Sequence, residues 1–211
     1  MPDSSLITRQ GEFDALCETL AAAPRIAFDT EFVPEYTYTP QLCLIQVATE
    51  STLAAIDTLE IDDLTPFWKV LARPNGELIV HAGKEELSFC HDAIGRLPEK
   101  VMDVQLAAGL VGLGHPLSHS NLVQRLIGRK LPSEQTRTDW RKRPLSSRQI
   151  NYAIDDVRYL LEIAQRIESM LEKMDRRAWY ETEVQEFLKQ VAGKDDNERK
   201  WRVSGTAGLT G

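Results

Sequence analysis

The chain has 211 residues, 25 Lys and Arg against 32 Asp and Glu, and a net charge of −7. With 42% hydrophobic and 27% charged residues it has the composition of a globular protein. That excludes collagen-like, disulfide-rich and wholly disordered chains. No apolar run is long enough for a membrane span, and the N-terminus lacks a basic, apolar leader. Cys17, Cys43 and Cys90 are too scattered for a disulfide framework or a zinc knuckle. Buried thiols in a cytoplasmic protein are expected.

In chain order, Phe13, Leu16, Cys17 and Leu20 predict a helix over 12–23, ended by Pro24. A strand follows over 25–32, then a loop over 33–40 with two prolines and with Tyr36 and Tyr38, which are expected to line a substrate path. Strands over 42–48 and 52–56, joined by a short polar turn, should pair antiparallel. The pattern then alternates: helix 64–72 with Thr65 as cap, strand 77–81, helix 84–94 and strand 100–103. Such alternation implies parallel pairing through right-handed crossovers. Two helices, over 104–111 and 119–127, precede an irregular stretch over 128–145. Ser146 and Gln149 form a capping box for one long helix running to Met174. A last helix covers 175–191, and a Gly- and charge-rich tail, expected to be mobile, follows.

Charge is unevenly spread. Between Arg125 and Arg148 eight basic residues face only Glu134 and Asp139. The stretch therefore carries +6 and the remainder of the chain −13. A basic stripe on an acidic protein suits contact with phosphates. Within it Trp140 stands between Arg141 and Arg143, a pattern that can stack a base and hold a backbone.

Three places hold acids where acids are unexpected. Asp29 and Glu31 lie i, i+2 on an apolar strand, so both point to one face and repel. Tyr152 and Asp156 lie i, i+4 on one helix face. His81 and then Glu85 and Glu86 follow a strand and open a helix, where α/β sheets keep their sites. Several carboxylates from separate elements match the oxygen-rich shell of Mg²⁺. Two such ions can clamp an in-line phosphoryl displacement, and Tyr152 could orient the attacking water. His115 and His119 are also i, i+4, but Gly114 and Pro116 make that stretch a turn rather than a zinc site.

These motifs, FDTEF at 28–32 with PQLCLIQ at 40–46, HAGKEEL at 81–87, MDVQLAA at 102–108, TRTDWRKRPLS at 136–146 and YAIDDVRYL at 152–160, run in order through about residues 8 to 170. Together they resemble the ribonuclease D family, the Tyr subclass of the DEDD 3′-5′ exonucleases. The resemblance implies an α/β, ribonuclease-H-like fold: a five-stranded mixed sheet, three strands antiparallel and two parallel, flanked by helices. It implies two divalent cations, Mg²⁺ or Mn²⁺, held by Asp29, Glu31, Glu86 and Asp156, with Tyr152 as a fifth catalytic residue. Glu86 stands where the family has Asp, one carbon–carbon bond of about 1.5 Å longer, and Asp103 has a supporting place. His81, Trp140, Arg141 and Arg143 are the expected nucleic-acid contacts.

The activity implied is hydrolysis of RNA from its 3′ end, on substrates such as tRNA precursors, with release of nucleoside 5′-monophosphates. The alternatives are a catalytically weak RNA-binding module and an exonuclease on single-stranded DNA. Residues 1–192 would form the exonuclease domain. Residues 193–211 would be a linker, where the family often continues into a helical nucleic-acid-binding domain.

Overall fold

The computed structural model describes residues 4–33, 40–132 and 138–206, with side-chain surroundings through Gly193. Tyr36, Tyr38, Glu134 and Arg137 lie outside the described residues, as does the end of the tail. The strands are β1 (Ser5–Ile7), β2 (Arg25–Val33), β3 (Gln41–Ala48), β4 (Leu53–Asp57), β5 (Glu77–Val80) and β6 (Lys100–Asp103). They form one mixed sheet in the order β1-β4-β3-β2-β5-β6. The expected pairings are present: β2 with β3 and β3 with β4 antiparallel, β2 with β5 and β5 with β6 parallel. The sheet has six strands rather than five, because β1 adds to β4 in parallel at one edge. Three residues are too few to show a hydrophobic period, so this strand was invisible in the sequence.

The helices are α1 (Gln10–Ala22), α2 (Thr65–Leu71), α3 (Lys84–Ile94), α4 (Val104–Leu110), α5 (His119–Leu122), α6 (Ser147–Arg158), α7 (Leu160–Lys173) and α8 (Arg177–Thr206). Phe28 of β2 packs edge-on against Phe67 and Trp68 of α2, and Phe32 against Phe89 of α3. On the opposite face of the sheet α6 lies over β2, β3 and β4, and α7 over β2 and β5. Apolar side chains on both faces explain why β3 and β4 are almost wholly buried.

Several element boundaries differ from the sequence reading. Thr65 is the first residue of α2 and not its cap; the Asp63 carboxylate instead accepts from the Thr65 amide. The expected helix 119–127 is one turn of α5 followed by a π-helical turn, Val123–Ile127, that closes on Gly128 at φ 77°. The long helix to Met174 breaks at Tyr159, between α6 and α7. No proline or glycine marks that break, and the apolar spacing runs through it unchanged. The last helix does not end at 191 but continues to Thr206.

Candidate active site

Side chains alternate across a strand. Phe28 and Thr30 therefore face α2 and α3, while Asp29 and Glu31 face the α6 layer. Helix α6 starts at the capping box, where Ser146 Oγ accepts from the Gln149 amide and Gln149 Oε1 accepts from the Ser146 amide. Ala153, Ile154 and Val157 bury one side of this helix. That burial presses Tyr152 and Asp156, on the adjoining stripe, toward Asp29 and Glu31. From the other layer, α3 brings Glu86, which is 6% exposed. Its Oε1 accepts from Thr30 Oγ1 at 2.7 Å.

The electrostatics show that these groups are close. Burial raises the Asp29 carboxyl well above the usual range, and Asp156 raises it further. Glu31 is pushed up to about 9 by burial and then by Asp29, Asp156 and Glu86. Glu86 is pushed up to about 8 by burial and then by Asp29, against the Thr30 hydrogen bond, which lowers it. Burial, then Asp156, Glu31 and Asp29, raise the Tyr152 phenol, so it stays protonated at neutral pH. Every charge acting on Glu31 is negative.

An all-carboxylate oxygen set, crowded enough to raise its own carboxyl pKa values, fits a hard divalent ion. Among the described residues no three His, Cys, Asp or Glu side chains form a ready-made ligand shell. Mg²⁺ keeps several waters and takes one or two carboxylates plus substrate phosphate.

A family profile for 3′-5′ exonuclease domains matches residues 5–172. The chain belongs to the 3′-5′ exonuclease domain family. Ribonuclease D of Zymomonas mobilis is 37% identical over 198 residues, which is 93% of this chain and 51% of that protein. The crystal structure of Escherichia coli RNase D, an exoribonuclease involved in structured RNA processing, superposes with a TM-score of 0.85 at 35% identity, covering 90% of this chain and 51% of that one. Brucella melitensis NrnC with bound Mg²⁺ shares the fold at a TM-score of 0.72 and 21% identity, over 92% of this chain and 93% of that one. The exonuclease chain thus spans about half the length of the ribonuclease D proteins it matches.

The turn that leads into the Glu86 helix of this exonuclease domain is held by Asp103, which is 3% exposed. The two carboxylate oxygens of Asp103 accept from the amides of Ala82, Gly83, Gln105 and Leu106. They cap α4 and tie the β5–α3 turn to the end of β6. A carboxylate with four amide donors is a structural fastener, in line with the supporting place expected of Asp103. The turn needs Gly83, because a Cβ there would sit 2.4 Å from Val80 Cγ2.

The expected nucleic-acid contacts are placed differently. Trp140 is 3% exposed, its ring tilted against Tyr152 at 6.3 Å, so neither face is open to a base. Its packing supports the Tyr152 ring. Arg143 grips buried Asp57 with two nitrogens and also donates to the Cys43 and Trp140 carbonyls, so it is a structural clamp. Arg141 is exposed and forks onto Asp139. His81 Nε2 meets the Leu117 carbonyl at 2.8 Å, which fixes the 115–119 turn. Arg125 donates to the Leu113 carbonyl and Arg129 lies over the Tyr159 ring. The basic face is thereby narrower than its charge count implied; Lys130 and Lys142 are exposed on it.

Two polar residues near the carboxylates were missed in the sequence. Gln46 of β3 lies opposite Asp29 in the antiparallel register, is fully buried, and neither of its side-chain amide atoms has a hydrogen-bond partner among the described residues. A glutamine inside the apolar run LCLIQVA was the available signal. His119 approaches Asp156.

The raised carboxyls predict a pH dependence of stability. Their folded pKa values exceed the ordinary 4.5, so the folded state holds more protons. Their contribution is fully present below the unfolded pKa and is lost as pH rises through about 8 and 9. In chelator, Tm should therefore fall from about pH 5 to about pH 9, and Mn²⁺ should restore it most at the alkaline end. Calorimetry of the parent beside Glu31→Gln checks this. An equal slope in the variant would mean that Glu31 does not contribute.

Proposed function

We propose that the chain is a metal-dependent 3′-5′ exoribonuclease. It removes nucleoside 5′-monophosphates from the single-stranded 3′ ends of structured RNAs, tRNA precursors among them, in the cytoplasm. The observation that carries this reading is the convergence of Asp29, Glu31, Glu86 and Asp156, from β2, α3 and α6, beside the protonated Tyr152 hydroxyl. RNase D of Escherichia coli, at 35% identity, supports RNA as the substrate. Residues 1–192 are taken as the exonuclease domain and 193–211 as the segment that follows it. No described helix is long and apolar enough to cross a membrane, and Cys17, Cys43 and Cys90 are free and buried.

Asp29, Glu31, Glu86 and Asp156 would hold two divalent cations. Bound there, the cations supply positive charge to the scissile phosphodiester and its leaving 3′ oxygen. The chain's own residues do the rest. The four carboxylates fix where the phosphate can bind, because they fix where the cations that attract it would sit. The Tyr152 hydroxyl, protonated at working pH, aligns the water that attacks phosphorus. Lys130 and Lys142 offer charge to the approaching strand.

The deciding assay follows mononucleotide release from 3′- and 5′-labelled RNA and DNA, with Mn²⁺ or with chelator. Release of labelled mononucleotide from the RNA 3′ end, only with metal, is expected. Binding without release would favour an RNA-binding module, and equal turnover of DNA a less selective nuclease. Tyr152→Phe should lower kcat by about a hundredfold and leave RNA affinity nearly unchanged in a filter-binding assay. Wild-type kcat would make Tyr152 a packing residue. Glu86→Asp should keep or raise activity, and Glu86→Gln should lose most of it, since only the second removes charge. If Glu86→Gln turned over like the parent, the ligand role would pass to Glu85.

A further inference from the structure

His119 has no part in the motifs that define the site, yet its side chain is only 11% exposed and its Nδ1 lies 3.4 Å from Asp156 Oδ1. Both ring nitrogens are buried and, among the described residues, neither completes a hydrogen bond. Buried polar groups in native proteins are nearly always paired, and an unpaired one calls for a reason. The ring is held in place. It stands edge-on to His81 at 5.8 Å, and His81 is itself fixed to the Leu117 carbonyl. Ser118 caps the short helix that His119 opens. A cavity of about 70 Å³ lies alongside, lined by His119, Tyr152, Asp155 and Asp156 among others. His119 is therefore a rigid imidazole aimed at one carboxylate of the cluster, at the edge of a space that water can enter.

We propose that His119 is a positioning residue for Asp156: its Nδ1, 3.4 Å from Asp156 Oδ1, donates its proton to that oxygen once the carboxylate turns to hold a cation, and so sets the direction in which Asp156 meets Asp29 and Glu31. This rests on the reading of Asp156 as a divalent-cation ligand. Ligating carboxylates are oriented by hydrogen bonds from the surrounding shell, and loss of such a bond typically costs 10–100-fold in metal affinity. The donor must come from the Nδ1 position. An asparagine amide can reach that place, a glutamine amide reaches the place of Nε2, and a phenylalanine fills the volume with no donor.

The test is calorimetric titration of the full chain with Mn²⁺, without RNA, for the parent and for His119→Phe, His119→Asn and His119→Gln, with Tm recorded for each. The Phe and Gln variants should bind Mn²⁺ about tenfold or more weakly, and Asn should return to within about threefold of the parent. In the RNA assay the loss should fall on kcat at saturating RNA rather than on KM. Should His119→Phe fail to fold, the Asn and Gln pair decides alone. Parent-like Mn²⁺ affinity in the Phe or Gln variant, or an Asn variant no better than these, overturns the proposal while the metal site stands. A parent that binds no Mn²⁺ overturns the proposed function, and this inference with it.

Discussion

Asp29→Asn should lower mononucleotide release by about a thousandfold, near 4 kcal/mol of transition-state stabilisation, and at the same time raise the Tm of the metal-free protein. The two effects share one cause. Asp29 stands between Glu31, Glu86 and Asp156, and its charge raises the carboxyl pKa of both Glu31 and Glu86. Asn keeps the shape and removes the charge, so the repulsion falls while the oxygen set loses its central anion. A gain of about 1 kcal/mol would move Tm by about 3 °C in a chain of this size. The measurement pairs a scanning-calorimetry run in chelator with the 3′-label assay. A variant that is inactive but less stable would indicate that Asp29 is a packing residue whose loss damages the fold. One that remains active would remove Asp29 from the chemistry. The expected pattern is a stability–function trade-off, in which a group costly to the empty fold is retained for what it binds.

Arg143→Ala should be the most destabilising single change, at about 3–5 kcal/mol. Asp57 is 2% exposed, and its two oxygens are taken by the Arg143 guanidinium. Truncation leaves that carboxylate buried without a cation, with the Leu59 amide still donating to its Oδ1. It also frees the segment from Trp140 to Pro144 from β3 and β4, because Arg143 bonds the Trp140 and Cys43 carbonyls as well. Trp140 buttresses the Tyr152 ring, so residual folded protein should show a lowered kcat. Arg143→Lys should recover only part of the stability, since an ammonium cannot fork across both oxygens. Urea unfolding monitored by tryptophan fluorescence checks the ranking. Unchanged stability with weakened RNA binding would return Arg143 to the nucleic-acid face.

The sequence alone determined the elements that carry the carboxylates. Strand spacing put Asp29 and Glu31 on one face, helix spacing put Tyr152 and Asp156 on one stripe, and Ser146 with Gln149 marked the start of α6. These features are local: a period of two or 3.6 residues, or a cap three residues long, is written in consecutive positions. The antiparallel-then-parallel sheet was legible for the same reason, through a short hairpin link and then alternating helices and strands. Only the tertiary structure decided which charged and aromatic residues remain outside. Arg143 and Trp140 read as an open, cationic stacking site until Asp57, 86 positions away in the chain, claims the guanidinium. His119 and Gln46 became relevant only when folding set them against Asp156 and opposite Asp29. β1 exists because β4 offers it an edge, and its three residues have no period of their own. Burial and ion pairing depend on neighbours distant in sequence, and no local pattern encodes them.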